Sequence, residues 1–195
     1  MLSYQIKPLP LKNILQHLGL LLLSFVFAYS AFPQSKDPSP LNFPTPKNQE
    51  NMLFYLQRDP NINTLIYALN INKNGEVDDS KPILAYWIRY AEKGEQKELG
   101  YIQRKFAYGI DSKVLSKEKF ELKFAAYKKI SIYLKRGSDK HYYASVNLNN
   151  KTIKVNRIFV RIVGGTFWVP NVRYAEIEGT DELTGKFVSE RINIK

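Results

Sequence analysis

The chain has 195 residues, a net charge of +11, 44 % hydrophobic residues and no cysteine. Without thiols, disulfides, thiolate metal sites and a lipid-modified cysteine are excluded, so a folded domain must rely on its apolar core. The length suits one such domain, and nothing in the composition asks for two.

Between Lys12 and Lys36 no formal charge occurs, and the gap holds the apolar run Leu18-Gly19-Leu20-Leu21-Leu22-Leu23-Ser24-Phe25-Val26-Phe27-Ala28. Lys7 and Lys12 precede it; the small residues Ala28 and Ser30 close it. A basic zone, an apolar zone and then small residues form the layout of a secretory signal peptide, expected over residues 1–30 with a cut after Ser30. The alternative is an uncleaved N-terminal anchor, because the 19 residues from Ile14 to Phe32 approach a bilayer-spanning length. Either arrangement keeps the two lysines in the cytoplasm. The domain is therefore expected to be periplasmic or secreted, and not a lipoprotein. Removal of the leader lysines lowers the charge to +9. For an exported domain that excess points to small anions, acidic glycans or an envelope surface rather than nucleic acid.

Residues 31–50 contain Pro33, Pro38, Pro40, Pro44 and Pro46 among polar residues, which reads as an extended, solvated linker. From Met52 to the C-terminus (residues 52–195) the texture is that of a single β-rich domain. Leu53 to Gln57 and Thr64 to Asn72 are expected strands, the second alternating Leu65, Tyr67, Leu69 and Ile71. Asn70-Ile71-Asn72-Lys73-Asn74-Gly75 reads as a hairpin turn. The same string resembles half of a calcium loop, but Lys81 stands where the twelfth-position Glu is required. Ile83 to Tyr90 is apolar on both faces, as a covered strand is. Leu99, Ile102 and Phe106 form a helical stripe, and the expected helix at about 98–108 ends with Gly109 as its C-terminal glycine. Strands follow around Phe120–Phe124, Ile130–Leu134, Tyr142–Leu148, Thr152–Val163, Thr166–Val169, Val172–Glu178 and Lys186–Asn193. Roughly nine strands at regular spacing predict a mainly β fold, a single antiparallel sandwich or barrel with one short helix.

The strings Leu53-Phe54-Tyr55-Leu56-Gln57-Arg58-Asp59-Pro60-Asn61, Trp87-Ile88-Arg89-Tyr90 and Tyr101-Ile102-Gln103-Arg104-Lys105-Phe106-Ala107-Tyr108-Gly109 resemble an exported bacterial family, domain of unknown function 4833. The likeness covers about residues 52–193. It implies an exported, mostly β domain and carries no activity, ligand or catalytic residue.

No cofactor or metal site is expected. His141 is the single histidine after the leader, and one histidine builds neither a polyhistidine site nor, without a nucleophile elbow, a triad. Carboxylate pairs for hydrolysis are sought at Glu92, Glu95 and Glu98, and at Glu176 and Glu178. Two binding readings stand ahead of them. Trp87, Arg89, Arg104 and Tyr108 are candidates to hold a small anionic or glycan-like ligand, the arginines gripping a carboxylate or phosphate beside the aromatics. The stretch Lys113–Lys140 has nine Lys or Arg against three acids, and strand alternation turns Lys119, Lys123, Lys129 and Lys135 outward. That basic face suits an anionic envelope surface; its plainer role is to keep a strand face solvated.

Overall fold

The computed structural model describes residues 42–166 and 168–194. The expected leader and the start of the proline-rich stretch lie outside the described residues.

Eleven strands join one hydrogen-bonded sheet: β1 (Met52–Arg58), β2 (Asn61–Leu69), β3 (Ile83–Arg89), β4 (Glu95–Glu98), β5 (Ile110–Ser116), β6 (Lys119–Phe124), β7 (Tyr127–Arg136), β8 (Tyr142–Leu148), β9 (Lys151–Gly165), β10 (Pro170–Asp181) and β11 (Phe187–Asn193). The junction is β9. One of its edges pairs with β10 along almost its whole length, and β10 in turn carries β11. Its other edge is shared end to end. There β8 pairs antiparallel with Lys151–Lys154, and β1 pairs parallel with Arg157–Val160. From that point a first leaf runs outward as β1-β2-β3-β4 and a second as β8-β7-β6-β5.

The two leaves face each other across the main core. Phe54, Leu56, Leu65, Tyr67 and Trp87 come from the first, Phe120, Leu122, Ile132, Leu134 and Val146 from the second, and Ile153, Val155 and Ile158 from β9. Phe54 stacks on Tyr67 at 4.8 Å and meets Phe124 edge-on at 6.4 Å, which joins the leaves directly. Full burial of each such side chain is worth about 2 kcal/mol. Inward positions on β9 step from Val155 to Ile158, and β10 shifts register between Glu178 and Gly179. A bulge at this level bends the strand where its edge partner changes. Gly179 is required there because a Cβ would lie 2.0 Å from the Lys154 carbonyl oxygen.

Several expectations are corrected. The fold is mainly β, but the sheet is open: β4 and β5 end its two leaves without pairing, so it is neither a closed barrel nor a sandwich of separate sheets. The β1–β9 pair is parallel rather than antiparallel. Strands β4 and β5 were not expected; each is an edge strand with little or nothing buried, so it leaves no apolar alternation to read. Thr166–Val169 is not a strand, and Trp168 and Val169 lie in the turn between β9 and β10. The helical segment is shorter than 98–108: α1 (Tyr101–Gln103) continues as a π-turn (Arg104–Tyr108) between β4 and β5. Gly109 is extended at φ −65°, not left-handed. It must be glycine because a Cβ would sit 1.9 Å from the Arg104 carbonyl oxygen.

β3 is indeed apolar on both faces. Its outer side joins Ile66, Ala68 and Ile88 in a second buried cluster with Met52, Tyr55, Tyr86 and Tyr90. At the end of the proline-rich stretch Phe43, Pro44 and Pro46 rest on the outer side of the sheet, while Asn42, Thr45, Lys47, Asn48 and Glu50 are exposed. Phe43 meets Phe159 edge-on at 5.3 Å, and Pro46 is buried. The Pro44 carbonyl accepts a 2.8 Å hydrogen bond from the buried Gln57 side chain.

Candidate functional site

Strand alternation carries the apolar inner face of the first leaf into a polar end. On β1 the inward series Phe54, Leu56 continues to Arg58; on β2, Leu65 is preceded by Asn63; on β3, Trp87 is followed by Arg89. Leu56, Leu65 and Trp87 are register partners across the strands; beyond them Asn63 and Arg89 follow in step on β2 and β3, while a register shift after Leu56 sets Arg58 opposite Asn61. The core ends there and a cationic rim begins.

The aromatic part of this end is packed rather than open. Trp87 is buried, meets Tyr108 edge-on at 5.2 Å, and donates from Nε1 to Gln103 Oε1 at 3.3 Å. The buried Tyr67 hydroxyl donates to the Tyr108 carbonyl at 2.9 Å, pinning the π-turn to the core. Burial pushes the Tyr67 hydroxyl pKa well above its ordinary value and also raises that of Tyr108. The Arg58 guanidinium lies 5.4 Å from the Tyr108 ring centroid and 6.0 Å from that of Trp87, within cation–π range of both.

Arg89 is paired with Glu92, which stands three residues on in the single 3-10 turn (Tyr90–Glu92) after β3. Asn63 Oδ1 accepts from the Ala91 N–H at 3.0 Å, and Asn61 Oδ1 accepts from the Asn63 N–H at 2.8 Å. With each amide oxygen occupied by a backbone N–H, the end that either asparagine offers a visitor is the Nδ2 donor. The Nε atoms of Arg58 and Arg89 are buried and have no hydrogen-bond partner among the described residues. Arg58, Pro60, Asn61, Asn63, Arg89 and Glu92 line an open depression of about 600 Å3. Its wall is rich in donors; Glu92 is its one carboxylate.

Of the four expected ligand residues, the structure brings Trp87 and Tyr108 together and puts Arg89 at the depression, but Arg104 goes elsewhere. Arg104 donates to the Leu99 carbonyl at 3.1 Å and sits 3.8 Å from Glu98, tying the π-turn to the end of β4. The second arginine at the depression is Arg58. Asn61 and Asn63 were also missed. The readable signal was the period of two: Arg58 follows Phe54 and Leu56, and Asn63 precedes Leu65, on the inward face.

The basic outer face of the second leaf exists, with part of its charge offset. Lys135 bonds Glu182 at 2.8 Å, an acid from the β10–β11 turn, and Lys123 lies 3.3 Å from Glu121 on its own strand. Lys129 sits over the Tyr127 ring, and Lys119 is the direct register partner of Lys135. Most of the carboxylates considered for hydrolysis are each held by an arginine. Glu176 bonds Arg191, Glu178 bonds Arg157, and Glu92 bonds Arg89. His141 is exposed, 3.5 Å from Asp139. The asparagine-rich string is a small hairpin closed by the Ile71–Val77 bridge, with Asn72 Oδ1 accepting from the Asn74 and Glu76 N–H groups. Among the described residues no three His, Asp or Glu side chains are grouped so that they could hold a metal ion, and no helix is long and apolar enough to cross a membrane.

No curated protein and no solved structure matches the chain. A family model described as Domain of unknown function (DUF4833) matches residues 54–191, a span running from β1 to β11 that contains both leaves and the whole depression. The chain belongs to the DUF4833 family.

Proposed function

We propose that the domain is a non-enzymatic binding module of the cell envelope, holding a small anionic, oxygen-rich ligand in the Arg58–Arg89 depression. One observation carries this reading: two cationic side chains, Arg58 and Arg89, line the same depression against a single carboxylate, Glu92. A hydrogen bond from a guanidinium to an oxyanion contributes about 1.5–3 kcal/mol, so two such groups on one wall favour an anionic visitor. Arg58 is held from behind by two aromatic rings, so its fork is oriented before a ligand arrives and little side-chain entropy is lost on binding.

Native mass spectrometry of the full chain purified from its own cells tests the reading. The expected result is a retained small molecule that disappears in Arg58→Lys and Arg89→Lys, with melting temperatures unchanged. An adduct that persists in both variants ends the reading.

A second reading uses the basic face of the second leaf for an envelope surface. It is favoured by the exposed Lys119, Lys128 and Lys129 on neighbouring strands β6 and β7, cations that an anionic surface would attract. Adhesion to anionic vesicles that does not weaken as salt rises removes it.

A further inference from the structure

Resting on the depression reading above, we infer that the recognised group is a tetrahedral phosphate-type oxyanion and that it enters by displacing the Glu92 carboxylate from Arg89. The donor set argues for the shape. Arg58 reaches the depression from β1, Asn61 from the start of β2, Asn63 from further along β2, and Arg89 from β3. Donors arriving from three strands surround a visitor. A carboxylate has two oxygens in one plane, which a single guanidinium fork saturates. Three terminal oxygens in a tetrahedral array match two guanidinium forks and two amide donors at once.

Charge argues for the displacement. With Glu92 in place, the cluster of Arg58, Arg89 and Glu92 has a net charge of +1 and sets a carboxylate against any incoming anion. With Glu92 swung out, two guanidiniums face a phosphate dianion. The Glu92 side chain is 52 % exposed, so it reaches water by rotation of its own bonds while β3 stays in place. Glu92 thus acts as an internal stand-in that holds Arg89 in position and sets a threshold against weakly held anions.

The test is isothermal titration of the full chain with inorganic phosphate, glycerol phosphate and acetate at neutral pH. Phosphate and its ester should bind at least tenfold more tightly than acetate. Glu92→Gln should tighten phosphate several-fold, while Arg58→Lys and Arg89→Lys should weaken it at least tenfold, all with unchanged circular dichroism melts. A melt that shifts in either arginine variant leaves the Glu92→Gln titration to decide, since that exposed substitution touches no core residue. Acetate binding as well as phosphate, or Glu92→Gln leaving phosphate affinity unchanged, overturns the inference. If a carboxylate is the retained ligand in native mass spectrometry and still depends on Arg58, the depression reading stands and only this inference fails. Cosedimentation with phosphatidylcholine vesicles, with and without phosphatidic acid, separates the sources of the group. Retention on phosphatidic acid that Arg58→Lys abolishes supports a lipid phosphomonoester, and binding of glycerol phosphate without such retention supports a soluble one.

Discussion

β2, central in the first leaf, is buried on both faces and β7, central in the second, on one, although both leaves begin on the same strand. On β2 every residue from Asn63 to Leu69 is buried, whereas on β7 only Ile132 and Leu134 are. The outer side of the first leaf bears its own apolar cluster, with Phe43 and Pro44 resting on the adjoining outer surface of β1 and β9. The outer side of the second leaf holds lysines and tyrosines. A strand packed on both sides is a stiff base, and Arg58, Asn63 and Arg89 lie where that base runs out of core. Side chains meant to hold a ligand are more accurately placed on such an element than on a flexible loop.

The contrast can be broken by mutation. Ile66 and Tyr133 occupy outer positions on β2 and β7, respectively. Ile66→Ala should cost about 3 kcal/mol in denaturant unfolding, as for a core site. Tyr133→Ala should cost no more than about 1 kcal/mol, the loss of a cross-strand pair. Equal costs would mean that the two outer faces are alike.

Next in size is Gln57, whose side chain donates to the Pro44 carbonyl and to Thr64 Oγ1 and accepts from Arg157. Gln57→Ala leaves these partners unmatched and should cost about 2 kcal/mol. Amide exchange in residues 42–50 should speed up while the second leaf keeps its protection. Unchanged exchange there would show that Phe43 and Pro46 suffice to hold the segment.

The smallest effect is acid sensitivity, which should favour the second leaf and the β10–β11 pair. A hydrogen bond from Ser131 holds the Glu121 carboxyl pKa below its ordinary value, and bonds from Lys151 and Asn149 do the same for Glu190. A depressed folded pKa means that the stabilising contribution is present above the ordinary carboxylate value of 4.5 and is lost as pH falls through the folded value. Protection of β6, β7 and β11 amides should therefore decline below about pH 4, ahead of β2 and β3. Loss of protection in β2 first would reverse the ranking of the leaves.

Most strands were legible because side chains alternate between an apolar core and water, as at Phe120 and Leu122 against Lys119 and Lys123. β3 was legible as a covered strand for the converse reason, since both of its sides are apolar. Edge strands escape such reading. Glu95–Glu98 buries nothing, and its place is fixed by backbone pairing with Tyr86–Arg89. The parallel contact of β1 with β9 depends on a bulge and on which edge β8 leaves free, neither of which is local. At the depression, the inward placement of Arg89 two residues after Trp87 was readable from strand alternation. Arg104 was not, because a π-turn sets its side chain at a different angle from an α-helix of the same sequence.

The shared edge of β9 also has a consequence in time. The second leaf and β9 form an unbroken meander of sequence neighbours, β5 through β9, and loops that short close quickly. The first leaf joins only through contacts such as Gln57 with Arg157 and Asp59 with Arg161, 100 and 102 residues apart along the chain. Its docking should therefore be the slower step of folding, and Arg58 gains its Val160 register partner only once β9 is in place. A chain lacking β9 leaves Tyr55–Arg58 without its parallel partner, so the free edge of β1 is open to pairing with another strand until β9 arrives.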